Sequence, residues 1–513
     1  MNRSCDILII GAGILGCFAA RSLSRYDLDT VVLEQREDVC CGISRANTGI
    51  IYQGYDQHPG SLKAQMCRKA NAAFPSLCEE LDVSYRKTGL LMLSFGPRAD
   101  AVLCRKLSQG QESQIPGISL LGRDQVYQME PLLCSGVTSA LYSESTYTVD
   151  PWELGIAAFE NASSNHVEFR FQEKVMNIYP LKSRTSPAKD RFVVETSHHT
   201  YTASFLLCCA GSSSDRLWEM VSAPSVRIVP VAGDYLVFDK SVGNLISHVL
   251  SVEPENKGGG ITLVPTAGGN ILAGPTRRTP SPESHTAADI NGLHELREKC
   301  QRLVPSLPPD KVIRSFAAVR PDPYIAKADG SLSAQSLNDF MILEDHGFFA
   351  LIGIKTPGIT CAKELGDYLA RRVIASMEQE PGPNPSYTPI RKGIMRFASL
   401  LRDTSDADAG MPHIHSCETK ALPSEFFEII CRCEHVSKWE VLEAIRRGAV
   451  TIDGVKRRTG AGMGRCQGGY CMEKVLHLLS EYTNTDIYQI TKDGRRGTVL
   501  NKAFPCEEDS RKL

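Results

Sequence analysis

Four cysteines late in the chain carry the clearest chemistry in this sequence. Cys431 and Cys433 are spaced C-x-C, and Cys466 and Cys471 are spaced C-x4-C. Both pairs are flanked by glycines and a turn, and an amphipathic stretch at 438–447 predicts a helix between them. Four thiolates gathered from two loops suit tetrahedral sulfur ligation, either of zinc or of an iron–sulfur cluster. Arg432, Lys456, Arg457, Arg458 and Arg465 surround them and would favour a more negative, reduced centre. A second group lies at the other end of the chain. Gly11, Gly13 and Gly16 follow the spacing G-x-G-x-x-G, and Glu34 comes 18 residues after the last of them. Such glycines admit a pyrophosphate against the backbone. Such an acid hydrogen-bonds a ribose hydroxyl, which argues for a dinucleotide without a 2′-phosphate.

These residues need particular elements to position them. Residues 7–10 form an apolar run long enough for one buried parallel strand. Ala19, Ala20 and Leu23 recur at helical spacing, and residues 30–33 read as a second strand ending in Glu34. The result is a βαβ unit. Gly11 permits the tight turn, Gly13 leaves no Cβ before the phosphates, and Gly16 lets the helix pack closely. The helix start at Ile14 offers N–H groups and positive dipole to an anion. A secretion signal is the other reading, because Arg3 precedes an apolar run ending in small residues and Leu15-Gly16-Cys17 resembles a lipoprotein cleavage site. Asp6, the three glycines and the matched second strand argue against export.

Composition sets the bounds. At 513 residues the chain predicts two to four domains, and 42% hydrophobic residues allow a full core. A net charge of −2 offers no field for nucleic acid or an acidic membrane. No apolar run reaches the length of a bilayer span. The 18 cysteines are mostly scattered singly through apolar runs, which fits a reducing cytoplasm with a subset holding a metal. Adjacent Cys208 and Cys209 read as small packed hydrophobes rather than a redox pair. The terminal Arg511-Lys512-Leu513 matches a peroxisomal signal in its last two residues alone, and is discounted.

Between the βαβ unit and residue 75, Gly42, Ser44, Asn47, Thr48 and Gly49 make a small, polar loop. It could approach a cofactor through backbone N–H and hydroxyl groups, though an ordinary turn-rich connection would look the same. With the opening unit and the following P-G-S-L-K-A, this S-x-x-N-T-G-I-I loop resembles the D-amino-acid-oxidase-like superfamily of FAD oxidoreductases. More narrowly, it is similar to the glycerol-3-phosphate dehydrogenase and L-2-hydroxyglutarate dehydrogenase branch. The resemblance covers about residues 5–375. It implies a flavin under the loop, adenosine against the backbone of Val175, and a second glycine turn at Gly211. The last FAD segment would be Gly353, Pro357, Gly358, Ile359 and Thr360. The family form there is G-I-E-S-P-G-L-T, whereas this chain has Lys355 and Thr356 in place of the acid and the serine. The cysteine stretch closely resembles the bacterioferritin-associated-ferredoxin-like [2Fe–2S] module, which implies that Cys431, Cys433, Cys466 and Cys471 hold such a cluster.

The resemblance implies an α/β fold. A Rossmann-like FAD-binding domain would be interleaved with an antiparallel-sheet substrate domain, followed by a small C-terminal α-helical iron–sulfur module. Cofactor-binding parts would span about 1–75, 141–220 and 325–380, and substrate-domain parts about 76–140 and 221–324. Residues 381–428 read as a linker or strap, 429–490 as the cluster domain and 491–513 as a tail. The implied activity is oxidation of glycerol 3-phosphate, with electrons passed to a partner protein or a quinone-linked subunit. Peripheral membrane association and the oligomeric state are left open. Arg320 would grip the anionic group of a small substrate, with Lys257, Arg277 and Arg278 as further basic candidates. Tyr52 stands where the family often has a histidine near the flavin, and a tyrosine is a poor base near neutral pH; His58 is a substitute. Two alternatives stay open. One is oxidation of a 2-hydroxy acid such as 2-hydroxyglutarate, or of an amino acid. The other is an electron-transfer subunit with FAD and cluster but no substrate of its own.

Overall fold

Continuous apolar runs, not alternating ones, build the parallel centre of the first sheet. In the computed structural model, residues 2–182, 191–252, 260–280, 286–327, 329–400, 423–494 and 497–501 are described. They divide into two compact units, the first within Met1–Gly393 and the second from Ile394 onward. Strand β1 (Asn2–Ile10) buries Ile7, Leu8 and Ile9 completely, as a parallel strand covered on both faces requires. It pairs in parallel with β2 (Thr30–Glu34) on one side and with strand Thr200–Cys208 on the other. Glu168–Phe171 extends the sheet past β2, and Arg191–Thr196 and Val175–Leu181 extend it the other way. Phe348–Ile352 joins the end of Thr200–Cys208, again in parallel. Helix α1 (Ile14–Leu23) connects β1 to β2 and packs against helices Pro151–Ser164 and Ala362–Ala375.

The second sheet has eight strands in the order Val312–Ile325, Val226–Phe238, Ile271–Gly274, Thr262–Pro265, Val249–Val252, Leu90–Ser94, Ser139–Ser143 and Ile118–Gly122. Neighbours are antiparallel except Val249–Val252 and Leu90–Ser94, which run parallel. The two longest strands pair along their length, with Val231 opposite Arg320 and Tyr235 opposite Phe316. Residues two apart share a face of a strand. Phe316, Ala318, Arg320 and Asp322 therefore stand in one row, facing the same way as Tyr235 and Val231.

Residues 381–393 strap the first unit. Asn384 N–H donates to the Arg25 carbonyl at 2.8 Å, and Thr388 N–H donates to Asn165 Oδ1 at 2.8 Å. Arg391, itself buried, pairs with Glu160 at 2.8 Å and donates to the Leu81 carbonyl at 3.1 Å.

The second unit has a short ribbon, Ile429–Cys431 with Val436–Ser437, and helices Lys438–Arg446, Ile452–Thr459 and Met472–Thr483. Ser437 and Glu440 form a capping box that fixes the start of the first helix. Val441, Leu442, Val455, Val475 and Leu479 fill the core. No helix among the described residues is long and apolar enough to cross a membrane.

Candidate functional site

The turn from β1 into α1 can be made by glycine alone. Gly11 has φ +103°, and a Cβ there would stand 2.7 Å from the Cys209 carbonyl oxygen. A Cβ on Gly16 would collide with the carbonyl oxygen of Gly11. The N-cap of α1 is Gly13, which has no side chain of its own to cap the helix. Ile14 N–H donates to Ser44 Oγ at 3.0 Å. Glu34 accepts from the Ala12 and Arg36 N–H groups, each at 2.9 Å. Burial raises its carboxyl above the ordinary value, against the pull of those backbone donors. Gly211 (φ +59°) lies in the turn after Thr200–Cys208, and a Cβ there would stand 3.6 Å from Ile43 Cδ1. Gly11, Gly13, Ile14, Gly16, Ser44 and Gly211 thus gather at the carboxyl ends of parallel strands, where open α/β sheets bind ligands. Val175 opens its strand two residues after Glu173, whose N–H donates to the Glu34 carbonyl at 2.8 Å. The open helix end, the bare glycine cradle and the acid at the tip of β2 fit the diphosphate and ribose of FAD.

The polar loop is stitched to the last segment. Asn47 Oδ1 accepts from Gly49 N–H at 2.8 Å, and its Nδ2 donates to the Ser44 carbonyl at 2.9 Å. Tyr52 N–H donates to Thr360 Oγ1 at 3.1 Å. Gly358 N–H donates to the Lys355 carbonyl at 2.7 Å, Cys361 N–H to Pro357 at 3.1 Å and Ala362 N–H to Ile359 at 3.2 Å. These bonds wind residues 355–362 into the start of helix Ala362–Ala375. Gly353 leads into that turn, and a Cβ there would meet the ring of Pro323.

Tyr52 is half-buried, with its phenol hydrogen-bonded to the Thr48 side chain. Burial pushes its pKa above the ordinary value, and the charge of Asp56 adds to this; Thr48 and Arg320 oppose it. Tyr52 therefore keeps its proton at neutral pH. His58 is exposed, with Nδ1 2.8 Å from the Pro59 carbonyl. Arg320 bonds the Tyr235 hydroxyl, and the Tyr235 ring stacks on Phe316 at 4.8 Å.

The other expected cations are engaged or lie elsewhere. Lys257 is outside the described residues. Arg278 donates to both oxygens of buried Asp234, each at 2.9 Å. Arg277 reaches Asp322 at 3.1 Å. Lys355 reaches the other Asp322 oxygen at 3.1 Å and Ser336 Oγ at 3.1 Å. Arg320 differs: among the described residues its partner is a hydroxyl, not a carboxylate. Sequence reasoning missed Tyr235 and Asp322. The signal for Asp322 was present, since it stands two residues after Arg320 on a strand and so shares its face.

In the second unit, Cys433 and Cys466 bring their sulfurs to 3.5 Å, and the Cys431 and Cys471 thiols bond each other. That contact with Cys471, and the N–H groups of Gly462 and Glu434, draw the Cys431 thiol below its ordinary value. The N–H groups of Tyr470 and Gly468 lower Cys466. A Cβ on Gly464 would collide with Cys433. No three of these sulfurs lie mutually within 4.8 Å. One tetrahedral metal with bonds of about 2.3 Å would hold every sulfur pair at about 3.8 Å. Two separate sulfur pairs under backbone donors fit a centre of two irons better than one zinc.

Residues 6–372 match the family described as FAD dependent oxidoreductase, and residues 429–481 match the BFD-like [2Fe-2S] binding domain. A glycerol 3-phosphate dehydrogenase from Caloramator mitchellensis is 32% identical over 96% of this chain and 98% of its own length. A glycerol 3-phosphate oxidase from Mycoplasma genitalium is 24% identical over 75% of this chain and 98% of its own. Among solved structures, the dithionite-reduced L-α-glycerophosphate oxidase of Mycoplasma pneumoniae with FAD bound shares the fold. It has a TM-score of 0.66 and 23% identity, over 76% of this chain and 98% of that one.

Proposed function

This chain belongs to the FAD-dependent oxidoreductase family, and from that membership we propose that it oxidises glycerol 3-phosphate to dihydroxyacetone phosphate and passes the electrons through its [2Fe–2S] module to a separate acceptor, a protein or a quinone-linked subunit. Arg320 carries the substrate half of this reading. It is a guanidinium on a strand face with no carboxylate partner among the described residues, beside two further cations that share one acid. Arginine takes a phosphate through paired, charge-assisted hydrogen bonds. The full-length similarity to a glycerol 3-phosphate dehydrogenase supports the same substrate.

Bound FAD supplies the two-electron acceptor for the alcohol carbon. Arg320 binds the phosphate, and Tyr235 fixes the guanidinium. Arg277 and Lys355, against the single charge of Asp322, leave excess positive charge for a dianion. Tyr52, protonated throughout the physiological range, orients a substrate oxygen by donating a hydrogen bond. No disulfide forms among the described cysteines, and a cysteine-rich chain of this kind suits a reducing cytoplasm.

Anaerobic bleaching of the flavin absorbance by a substrate panel tests this reading. Glycerol 3-phosphate is expected to bleach it. Bleaching by 2-hydroxyglutarate or an amino acid alone would replace the substrate, and bleaching by none would favour an electron-transfer subunit. Rapid reoxidation in air would make the protein an oxidase and remove the need for an acceptor.

A further inference from the structure

The residue that departs most from the family form of the last FAD segment is Lys355, which stands where an acid is expected. An acid nevertheless lies against it, from another strand. Asp322, on strand Val312–Ile325, is 1% exposed. One of its oxygens lies 3.1 Å from Lys355 Nζ and the other 3.1 Å from Arg277. The Lys355 side chain is itself 17% exposed, and Ser336 Oγ accepts a second bond from it. Backbone packing locks the two segments together. The Gly353 turn lies against Pro323, the next residue after Asp322, and Leu337 N–H donates to the Pro323 carbonyl at 2.7 Å. A buried carboxylate is costly to leave unpaired, which favours keeping both cations on Asp322.

We propose that Asp322 is a positioning residue that holds the Lys355 ammonium in the flavin-binding segment and offsets part of its charge, so that this one ion pair sets how readily the flavin accepts electrons. The proposal rests on FAD being bound along residues 353–360, and it does not depend on the identity of the substrate. A cation near the ring favours the reduced, more negative flavin, and a carboxylate beside that cation weakens the effect. Asp322 and Lys355 therefore act with opposite sign, although they belong to the same contact.

That opposition gives the test. The flavin midpoint potential is measured by anaerobic spectroscopic titration against reference dyes, with no substrate present, for Asp322→Asn and Lys355→Met. Asp322→Asn is expected to move the reduction equilibrium toward reduced flavin by about tenfold, and Lys355→Met away from it by about tenfold; each is about 30 mV for a two-electron couple. Sulfite affinity of the oxidised protein should follow, tighter in the first variant and weaker in the second. Asp322→Glu keeps the charge and should stay near the parent. Shifts of the same sign, no shift, or loss of flavin from either variant would overturn the proposal and leave the pair a structural tie. A flavin that titrates as expected but is not bleached by glycerol 3-phosphate would sink the proposed substrate and leave this inference standing.

Discussion

At the scale of single residues, function depends on which side chains keep their charge and which are free to use it. Arg320→Leu should raise KM for glycerol 3-phosphate by about tenfold to a hundredfold, since a charge-assisted contact contributes about 1.5–3 kcal/mol. Added inorganic phosphate should inhibit the parent and lose that effect in the variant, as steady-state kinetics would show. Tyr52 makes the reverse kind of prediction. Burial holds its phenol above the ordinary value near 10. The protonated form therefore persists as pH rises through that value, and ionisation of Tyr52 contributes no alkaline fall below it. The pH profile of kcat/KM for Tyr52→Phe should keep the parent's shape while its amplitude drops. A basic limb that disappears in the variant would make Tyr52 the titrating group.

At the scale of elements, the turns are built so that particular positions accept no side chain. Gly16→Ala places a methyl against the Gly11 carbonyl, and the backbone must move to admit it. The purified variant is expected to lose yellow colour and FAD on gel filtration. Gly464→Ala drives a methyl into Cys433, and should abolish the iron and labile sulfide while the flavin is retained. The strap makes a separate prediction. Arg391→Met breaks the buried pair with Glu160 and the bonds to the Leu81 and Asp82 carbonyls, and should cost about 3–5 kcal/mol, read as a lowered thermal midpoint of the flavin-containing unit. Much of this was legible before any coordinates. The βαβ unit announces itself through an apolar run, three spaced glycines and a terminal acid, all local in sequence. The cysteine spacing is equally local. The Asp322–Lys355 pair was not legible, because 33 residues and a change of sheet separate its members. The parallel pairing of Leu90–Ser94 with Val249–Val252 was hidden for the same reason. The end of the strap depended on Arg391 and Thr388 finding partners near residues 81, 160 and 165. No periodicity encodes those distances.

At the scale of the whole molecule, one chain joins a two-electron centre to a one-electron centre. Each unit is described by its own chemistry: a cradle for FAD in the first, and two thiol pairs under backbone donors in the second. The most direct test is anaerobic titration of the purified protein with glycerol 3-phosphate, followed by visible absorption and electron-spin resonance on the same samples. The flavin should bleach, and a low-temperature signal of a reduced [2Fe–2S] cluster should grow in the same titration, the latter requiring iron and labile sulfide in the starting material. A flavin that bleaches with no cluster signal, in protein shown by analysis to contain two irons per chain, would contradict passage of electrons from the flavin to the cluster.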